Sequence, residues 1–229
     1  MNTQELFEQV DFVENPLFEC IIEDLTTSQY SIVDTFFEQE EVLQLREALL
    51  QRQSDVAFKK AAIGNRVNEE IDRSIRGDYI FWLRDDSLKP DESLFFERIN
   101  AFVSYLNRTC FMGIMQKEFH YAIYPKSTFY KRHIDTFQND DRRKLSIVFY
   151  LNDIDWTTEN GGQLVLYPDG KPEISVVPIP GRMVIFESQI LEHEVLEVKQ
   201  GERLSITGWL KTRGDFMGEP LMEHIFSGI

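Results

Sequence analysis

A series of short β-strand patterns separated by turn sequences fills the second half of this 229-residue chain and strongly limits how it can fold. The breaks carry Asn160-Gly-Gly, Pro168-Asp-Gly, Pro178-Ile-Pro-Gly and Lys199-Gln-Gly-Glu, residue types that adopt tight-turn conformations. Strands are predicted at 118–124, 128–134, 144–152, 163–167, 173–177, 182–187, 191–198 and 203–210. Because regularly spaced short strands form sandwiches or barrels, we predict a mainly β fold with supporting helices and a double-stranded β-helix (jelly-roll, cupin-like) core.

The first half of the chain has helical periodicity instead. Residues 39–53 place Val42, Leu45, Ala48 and Leu49 on one stripe, which predicts an amphipathic helix. A second helix is predicted to begin near Asp91, after Pro90. Its inward-facing residues are expected to be Leu94, Phe95, Ile99, Phe102, Val103 and Leu106.

A polar segment, residues 64–76, separates these helices and leads into a predicted strand at 79–83. It is charged and poorly periodic, so we predict a long exposed loop, of a kind that often serves as a lid or a binding loop. We therefore expect one catalytic domain over residues 1–229. Residues 1–112 form its helical support with a substrate loop near 64–78, residues 113–212 the jelly-roll core and residues 213–229 a C-terminal tail.

Composition excludes several classes of protein. A formal net charge of −15 argues against a nucleic-acid partner, because such binders carry basic patches. No apolar run approaches the length that spans a bilayer, and the N-terminus lacks the pattern of a signal peptide. Cys20 and Cys110 are expected to be reduced thiols, so we predict a cytoplasmic protein with no membrane partner. The sequence indicates no oligomeric state.

Two histidines and an acid in the strand-rich half are spaced as metal ligands. His133 and Asp135 lie two residues apart on a predicted strand, so both side chains point to the same side. With His193 from a later strand they form the 2-His-1-carboxylate set, which binds non-haem Fe(II) and leaves positions open. Arg203 lies beyond and offers a planar fork for a carboxylate. The pattern indicates an oxygenase. The other two histidines are predicted to be structural: His120 lies in a strand and His224 in the C-terminal tail.

Several stretches resemble the prolyl hydroxylases of the Fe(II)/2-oxoglutarate oxygenases, over about residues 60–212. They are Ile75-Arg-Gly-Asp-Tyr-Ile-Phe-Trp, Tyr121-Ala-Ile-Tyr-Pro, Phe129-Tyr-Lys-Arg-His-Ile-Asp, Phe149-Tyr-Leu-Asn, Asp155-Trp, Gly161-Gly-Gln-Leu, His193-Glu-Val and Arg203-Leu-Ser-Ile-Thr-Gly-Trp. The chain looks most like the hypoxia-inducible-factor prolyl hydroxylases and the bacterial enzymes that modify elongation factor Tu. Arg203, where collagen-type prolyl hydroxylases have lysine, separates it from that group.

The resemblance implies a role for each matching residue. His133, Asp135 and His193 would be the catalytic iron ligands, and Arg203 and Tyr150 would hold the distal carboxylate of 2-oxoglutarate. Tyr124 and Thr207 would line the same pocket, with Leu164 beside the metal. The positions that match substrate contacts are Arg76, Asp78, Arg143 and Trp209. The implied cofactors are Fe(II), 2-oxoglutarate and O2, with ascorbate as a candidate reductant, and the implied partner is a protein with an exposed prolyl loop.

Strand parity supports the pocket independently of the resemblance. On the strand 203–210, one face carries Arg203, Ser205, Thr207 and Trp209. The other carries Leu204, Ile206 and Leu210. A polar face opposite an apolar one is expected where one side of a strand lines a site.

Two other functions stay open. The chain could be a 2-oxoglutarate oxygenase that acts on a small molecule, on another type of residue or on an alkylated base. For an alkylated-base demethylase, a second arginine is expected where this chain has Trp209. A non-catalytic peptide-binding module is the other alternative, against which the intact ligand set and dicarboxylate anchor argue.

Overall fold

Two antiparallel sheets pack face to face in the computed structural model of this protein, which describes residues 13–55, 59–60, 75–84, 87–136 and 142–212. The seven-stranded sheet consists of β1 (Tyr30–Val33), β2 (Lys59–Lys60), β3 (Tyr79–Leu83), β4 (Ile114–Pro125), β6 (Arg143–Tyr150), β9 (Met183–Glu187) and β11 (Glu202–Thr212), in the order β1-β9-β6-β11-β4-β3-β2. The four-stranded sheet contains β5 (Tyr130–His133), β7 (Leu164–Tyr167), β8 (Ile174–Val176) and β10 (Glu192–Val195), in the order β5-β10-β7-β8.

Alternating side chains divide the core into two layers. On β11, Leu204, Ile206 and Leu210 belong to the cluster between the large sheet and the helices. On the opposite face of that sheet, Ala122, Tyr124 and Val148 pack in a second cluster with Leu164 and Leu166 of the small sheet. The parity predicted for β11 is therefore confirmed. The small sheet covers the same face that carries Arg203, so any site on that face lies between the two sheets.

Three helices cover the outer face of the large sheet: α1 (Pro16–Ser28), α2 (Gln39–Ser54) and α3 (Pro90–Thr109). The prediction for α2 is confirmed, with the expected stripe buried. The prediction for α3 is also confirmed, although Leu94 and Val103 are only half-buried. The start of α3 is held by Glu92, which accepts a hydrogen bond from the Lys89 backbone at 2.7 Å.

The first helix was missed by the sequence analysis. Its start carries a recognisable signal, because the side chain of Asn15 accepts from the backbone amides of Leu17 and Phe18, and Pro16 follows directly. Only Ile21 and Leu25 are buried on α1. Such a sparse apolar stripe is a weak periodic signal, and packing against the rest of the domain stabilises the helix.

All eight strands predicted in the second half are present, with ends shifted by a few residues. The prediction of an exposed loop is wrong at the C-terminal end of this segment. There, Asp78 is 2% exposed and Arg76 forms an isolated β-bridge with Tyr130. Residues 64–74 and the tail 213–229, with His224, lie outside the described residues. Within the described part of the chain, no helix combines the length and the apolar character needed to cross a membrane.

Candidate active site

His133, Asp135 and His193 converge between the two sheets. Each offers one ligand atom, and these atoms lie within 4.8 Å of one another. His133 pairs directly with His193 across β5 and β10, which brings together residues that are far apart in the sequence. The predicted ligand set is thus assembled by strand pairing, and its donors, two imidazole nitrogens and a carboxylate oxygen, are those of a non-haem iron site.

Backbone hydrogen bonds orient both imidazoles. Nδ1 of His133 lies 2.7 Å from the carbonyl oxygen of Lys131, and Nδ1 of His193 lies 3.1 Å from that of Leu191. A carbonyl only accepts, so Nδ1 of each ring carries a hydrogen, which in a neutral imidazole leaves the lone pair on Nε2. Each Nε2 faces Asp135, at 3.5 Å for His133 and 3.7 Å for His193. Both rings are therefore in the tautomer that a metal ligand needs.

The charges of the ligand side chains favour the binding of a cation. Burial lowers the pKa of His193 to about 4, so this ring is neutral at pH 7. Burial alone would raise the pKa of Asp135, but the neighbouring His193 and His133 rings and the Ser146 hydroxyl hold that pKa well below its usual range. The site therefore presents a neutral His193 imidazole and an ionised Asp135 carboxylate, and the carboxylate supplies one negative charge to a divalent ion.

Aromatic and apolar side chains surround the ligand set. Tyr130 stacks on His133 with ring centroids 3.6 Å apart, and Phe186 contacts the His193 ring at 4.6 Å. Leu164, expected beside the metal, is buried on β7 opposite Val195. Such a wall fixes the rings and limits the access of water.

A buried arginine forms a second polar centre on the same face. Arg203 is 2% exposed, and its guanidinium lies 5.0 Å and 4.9 Å from the ring centroids of Tyr124 and Tyr150. Its Nε donates to the Gly162 carbonyl at 2.8 Å, Nη1 to the Ser205 hydroxyl at 3.4 Å and Nη2 to the Tyr150 hydroxyl at 3.4 Å. Among the residues that the structure describes, no carboxylate lies within ion-pair distance of Arg203.

The pocket around Arg203 suits a carboxylate. Burial of an unpaired cation costs free energy. A bound anion would supply the negative charge that the described residues do not place beside Arg203. Burial raises the pKa values of Tyr124 and Tyr150, partly opposed by the Arg203 cation, so both hydroxyls keep their protons and can donate. Thr207, also predicted here, reaches the cluster through the Ser205 hydroxyl at 3.2 Å. Arg203, Tyr150, Tyr124 and Thr207 are therefore brought together.

Two of the expected substrate contacts bind each other. Arg76 forms a bidentate ion pair with Asp78 through Nε at 2.5 Å and Nη2 at 2.8 Å, and its guanidinium lies 4.7 Å from the ring centroid of Tyr130. The Asp78 side chain is fully buried. Asp78 therefore holds Arg76 against the ring that stacks on His133, and a role for the pair in substrate binding stays a prediction.

The other two expected contacts, Arg143 and Trp209, contact each other next to Asp135. Nη1 of Arg143 donates to the Asp135 carbonyl at 2.8 Å, and its guanidinium lies 3.6 Å from the ring centroid of Trp209. His120, expected to be structural, is buried between Trp82 and Trp209 at centroid distances of 4.8 Å and 5.6 Å. Among the described residues, neither imidazole nitrogen of His120 has a hydrogen-bond partner, and neither does Nε1 of Trp209.

Sequence reasoning missed two serines next to Asp135. The Ser146 hydroxyl donates to Oδ2 of Asp135 at 2.7 Å and lies 2.8 Å from the Ser188 hydroxyl. Ser146 shares a face of β6 with Tyr150, so the parity of this strand could have placed it in the site. No comparable signal exists for Ser188, which follows the end of β9.

Fold and site together define a jelly-roll protein with a 2-His-1-carboxylate centre and a buried arginine anchor. The sequence profile of the 2OG-Fe(II) oxygenase superfamily matches residues 119–211. The crystal structure of a Pseudomonas putida prolyl-4-hydroxylase is similar at a TM-score of 0.78 and 32% identity, over 86% of this chain and 100% of that one. The chain belongs to the 2OG-Fe(II) oxygenase superfamily, and its structural neighbours include prolyl hydroxylases, as the resemblance implied.

Two further relatives support this placement. A prolyl hydroxylase from Trichoplax adhaerens, solved with a peptide fragment of a hypoxia-inducible-factor oxygen degradation domain, has a TM-score of 0.75 and 26% identity over 85% of this chain and 89% of that one. The prolyl hydroxylase EGLN3 of Mus musculus is 29% identical over 149 residues, 60% of this chain. The match spans 59% of the length of the mouse protein, less than two thirds of it.

Proposed function

We propose that this protein is an Fe(II)- and 2-oxoglutarate-dependent dioxygenase that hydroxylates a prolyl residue of a protein substrate. The observation that carries the proposal is the buried Arg203 guanidinium, which has no described acid partner and lies, like the His133, Asp135 and His193 ligand set, between the two sheets. A metal site alone fits many enzymes. A metal site beside a buried anchor for a carboxylate fits a co-substrate with a carboxylate at one end and a chelating group at the other.

His133, Asp135 and His193 would hold Fe(II), which supplies the activation of O2 when it is bound. Arg203 and Tyr150 would bind the distal carboxylate of 2-oxoglutarate and so orient its keto-acid end toward the metal. In the balanced reaction, one oxygen atom of O2 enters succinate as CO2 leaves, and the other is inserted into a C–H bond of the substrate. The wall formed by Tyr130, Phe186 and neighbouring apolar residues would exclude water during this step.

Prolyl hydroxylation of a protein is proposed from the relatives. Prolyl hydroxylases appear among the similar sequences and among the similar structures, and the Trichoplax structure holds a peptide. The substrate surface would include Arg76, Arg143 and Trp209, which flank the ligand set on two sides. Asp78 would act by holding Arg76. Elongation factor Tu is the first candidate substrate, because the sequence resembles the bacterial enzymes that modify it.

The remaining expectations belong to the same proposal. We expect one catalytic domain over residues 1–229, with the segment 64–78 as a substrate loop and ascorbate as a candidate reductant. A cytoplasmic enzyme agrees with the two free, exposed thiols of Cys20 and Cys110.

The proposal is tested by incubating the Fe(II)-loaded protein with 2-oxoglutarate, O2 and purified elongation factor Tu. We expect succinate to form and the factor to gain the mass of one oxygen atom on a proline, located by fragmentation. His133→Ala serves as the inactive control, because it removes a ligand. A whole-proteome search for the same mass gain extends the test to other substrates. Oxidation of free amino acids or small amides with no modified protein would contradict the protein-substrate part. Absence of 2-oxoglutarate turnover under every condition would contradict the enzymatic part.

A further inference from the structure

Two serine hydroxyls form a chain that ends on one oxygen of the metal-binding carboxylate. Ser146 is 1% exposed and Ser188 is fully buried. Ser188 is placed by its own backbone, whose N–H donates to the Lys144 carbonyl at 3.1 Å across the ends of β9 and β6. Burial of two hydroxyls beside a metal site costs free energy unless they are hydrogen-bonded, and both are.

The number of hydrogens on each group determines the direction of this hydrogen-bond chain. A carboxylate that binds a metal carries no hydrogen and can only accept, so Ser146 donates its single hydroxyl hydrogen to Oδ2 of Asp135. The Ser146 oxygen then accepts from Ser188, whose hydrogen points back along the chain. The order is therefore Ser188 to Ser146 to Asp135, and Ser188 limits the rotation of Ser146.

The two carboxylate oxygens of Asp135 thus differ. Oδ2 accepts from Ser146 at 2.7 Å and lies 3.7 Å from Nε2 of His193, whereas Oδ1 lies 3.5 Å from Nε2 of His133. Arg143 anchors the same residue through the Asp135 carbonyl at 2.8 Å. Asp135 is therefore held at both its backbone and its side chain, and the hydrogen bond from Ser146 occupies one lone pair of Oδ2.

We propose that Ser146 and Ser188 are positioning residues that hold the Asp135 carboxylate so that it binds the metal through a single oxygen. The inference rests on the proposed function, because it concerns the number of positions left for the co-substrates. A keto-acid chelate and O2 need three open positions beside the three protein ligands of a six-coordinate ion. A carboxylate that bound through both oxygens would take one of those positions, so engaging Oδ2 keeps the third position open.

The test uses the full-length protein loaded with Co(II), whose visible spectrum reports coordination number without turnover. In Ser146→Ala, Oδ2 loses its donor and is free to join the metal. We expect a changed Co(II) spectrum and a Kd for 2-oxoglutarate, measured calorimetrically on the Co(II) form, weakened by roughly tenfold to a hundredfold. Ser188→Ala should change both readouts in the same direction by less, because Ser146 keeps its hydrogen. Ser146→Thr, which restores the hydroxyl, should recover both.

Ser31 provides a matched control. It is 1% exposed and donates to Oδ2 of Asp24 at 2.7 Å, so it is also a buried serine bonded to an aspartate, but it lies on β1 and its acceptor is not a metal ligand. Ser31→Ala should lower stability without changing the Co(II) spectrum or the 2-oxoglutarate Kd. If Ser146→Ala behaves like Ser31→Ala in both readouts, the serines serve packing only and the inference is wrong. Neither readout involves a protein substrate, so this outcome is distinct from a failure to hydroxylate proline.

Discussion

Arg203 reaches Tyr150 between the two sheets, with Nη2 donating to the tyrosine hydroxyl at 3.4 Å while both side chains are buried. Its Nε donates to the Gly162 carbonyl and its Nη1 to the Ser205 hydroxyl, and both of these acceptors are neutral. A buried cation that is surrounded by neutral partners is prepared for an incoming anion. This relationship, more than the metal ligands, separates a 2-oxoglutarate site from other iron sites built on the same triad.

Replacement of the anchor should separate co-substrate binding from metal binding. In Arg203→Gln the charge is lost, and we expect the affinity for 2-oxoglutarate to fall by roughly 2–5 kcal/mol, because the bound carboxylate is left without its cation. Metal affinity should be unchanged, since no ligand is altered. Calorimetry with Co(II) and then with 2-oxoglutarate measures both. Arg182→Gln, which removes a cation paired with Asp34 on the surface, is the control. An unaltered 2-oxoglutarate Kd in Arg203→Gln would place the pocket elsewhere.

Gly162 should be required beside the anchor. Its φ is +70°, and an added Cβ would lie 3.0 Å from Cδ of Arg203. In Gly162→Ala the arginine must shift by a few tenths of an ångström, and we expect about tenfold weaker 2-oxoglutarate binding, or ~1.4 kcal/mol.

Gly170 offers the matched control, with φ of +65° and no atom of the described residues within 4 Å of an added Cβ. Gly170→Ala should lose roughly 1 kcal/mol of folding stability, as Gly162→Ala should, because alanine is strained in the left-handed backbone conformation. Gly170→Ala should nevertheless leave 2-oxoglutarate binding intact. Equal Kd values in the two variants would show that contact with Arg203 is unimportant.

Each imidazole ligand should be essential for metal binding. His133→Ala or His193→Ala leaves two ligands, and we expect the tight Fe(II) site and all 2-oxoglutarate turnover to be lost while the fold is kept. Anaerobic calorimetry measures the affinity, and circular dichroism verifies the fold. His120→Phe tests specificity, because it removes a buried imidazole of the large sheet that is not a ligand. Wild-type iron binding in both ligand variants would disprove the assignment.

His120 should make the protein less stable in acid. Burial lowers its pKa from 6.5 to about 3, so the folded state binds fewer protons than the unfolded state between these values. The stability contributed by neutral His120 is fully present above the unfolded pKa and is lost as the pH falls toward the folded pKa. From pH ~7.5 to pH ~5 the loss should be about 2 kcal/mol.

Urea unfolding at the two pH values measures this loss, and His120→Phe isolates it from other groups. Phenylalanine keeps the ring contacts with Trp82 and Trp209 but does not titrate. We therefore expect the variant to lose about 2 kcal/mol less than the wild-type protein over the same interval. Parallel losses in the two proteins would show that His120 is accessible to protons in the folded state.

Much of the site follows from local sequence pattern. The spacing of His133 and Asp135 on a strand places both on one side, and the alternation from Arg203 to Leu210 separates a polar face from an apolar one. Turn residues between the strands likewise indicate the jelly roll. All of these signals can be read from the sequence because the residues involved lie within a few positions of one another along the chain. The helix α1 was not predicted because its apolar stripe is sparse.

Relations between distant strands were decided only by the tertiary structure. The pairing of Arg76 with Asp78 looks like two solvated charges in the sequence, yet it is buried against Tyr130, because Arg76 forms a β-bridge with that residue of the small sheet. The contact of Ser146 with Ser188 depends on the register between β6 and β9, and the burial of His120 depends on Trp82 and Trp209 from two neighbouring strands. Side-chain hydrogen bonds form over about 3 Å, so they depend on strand register and sheet packing, which the periodicity of a single strand does not specify.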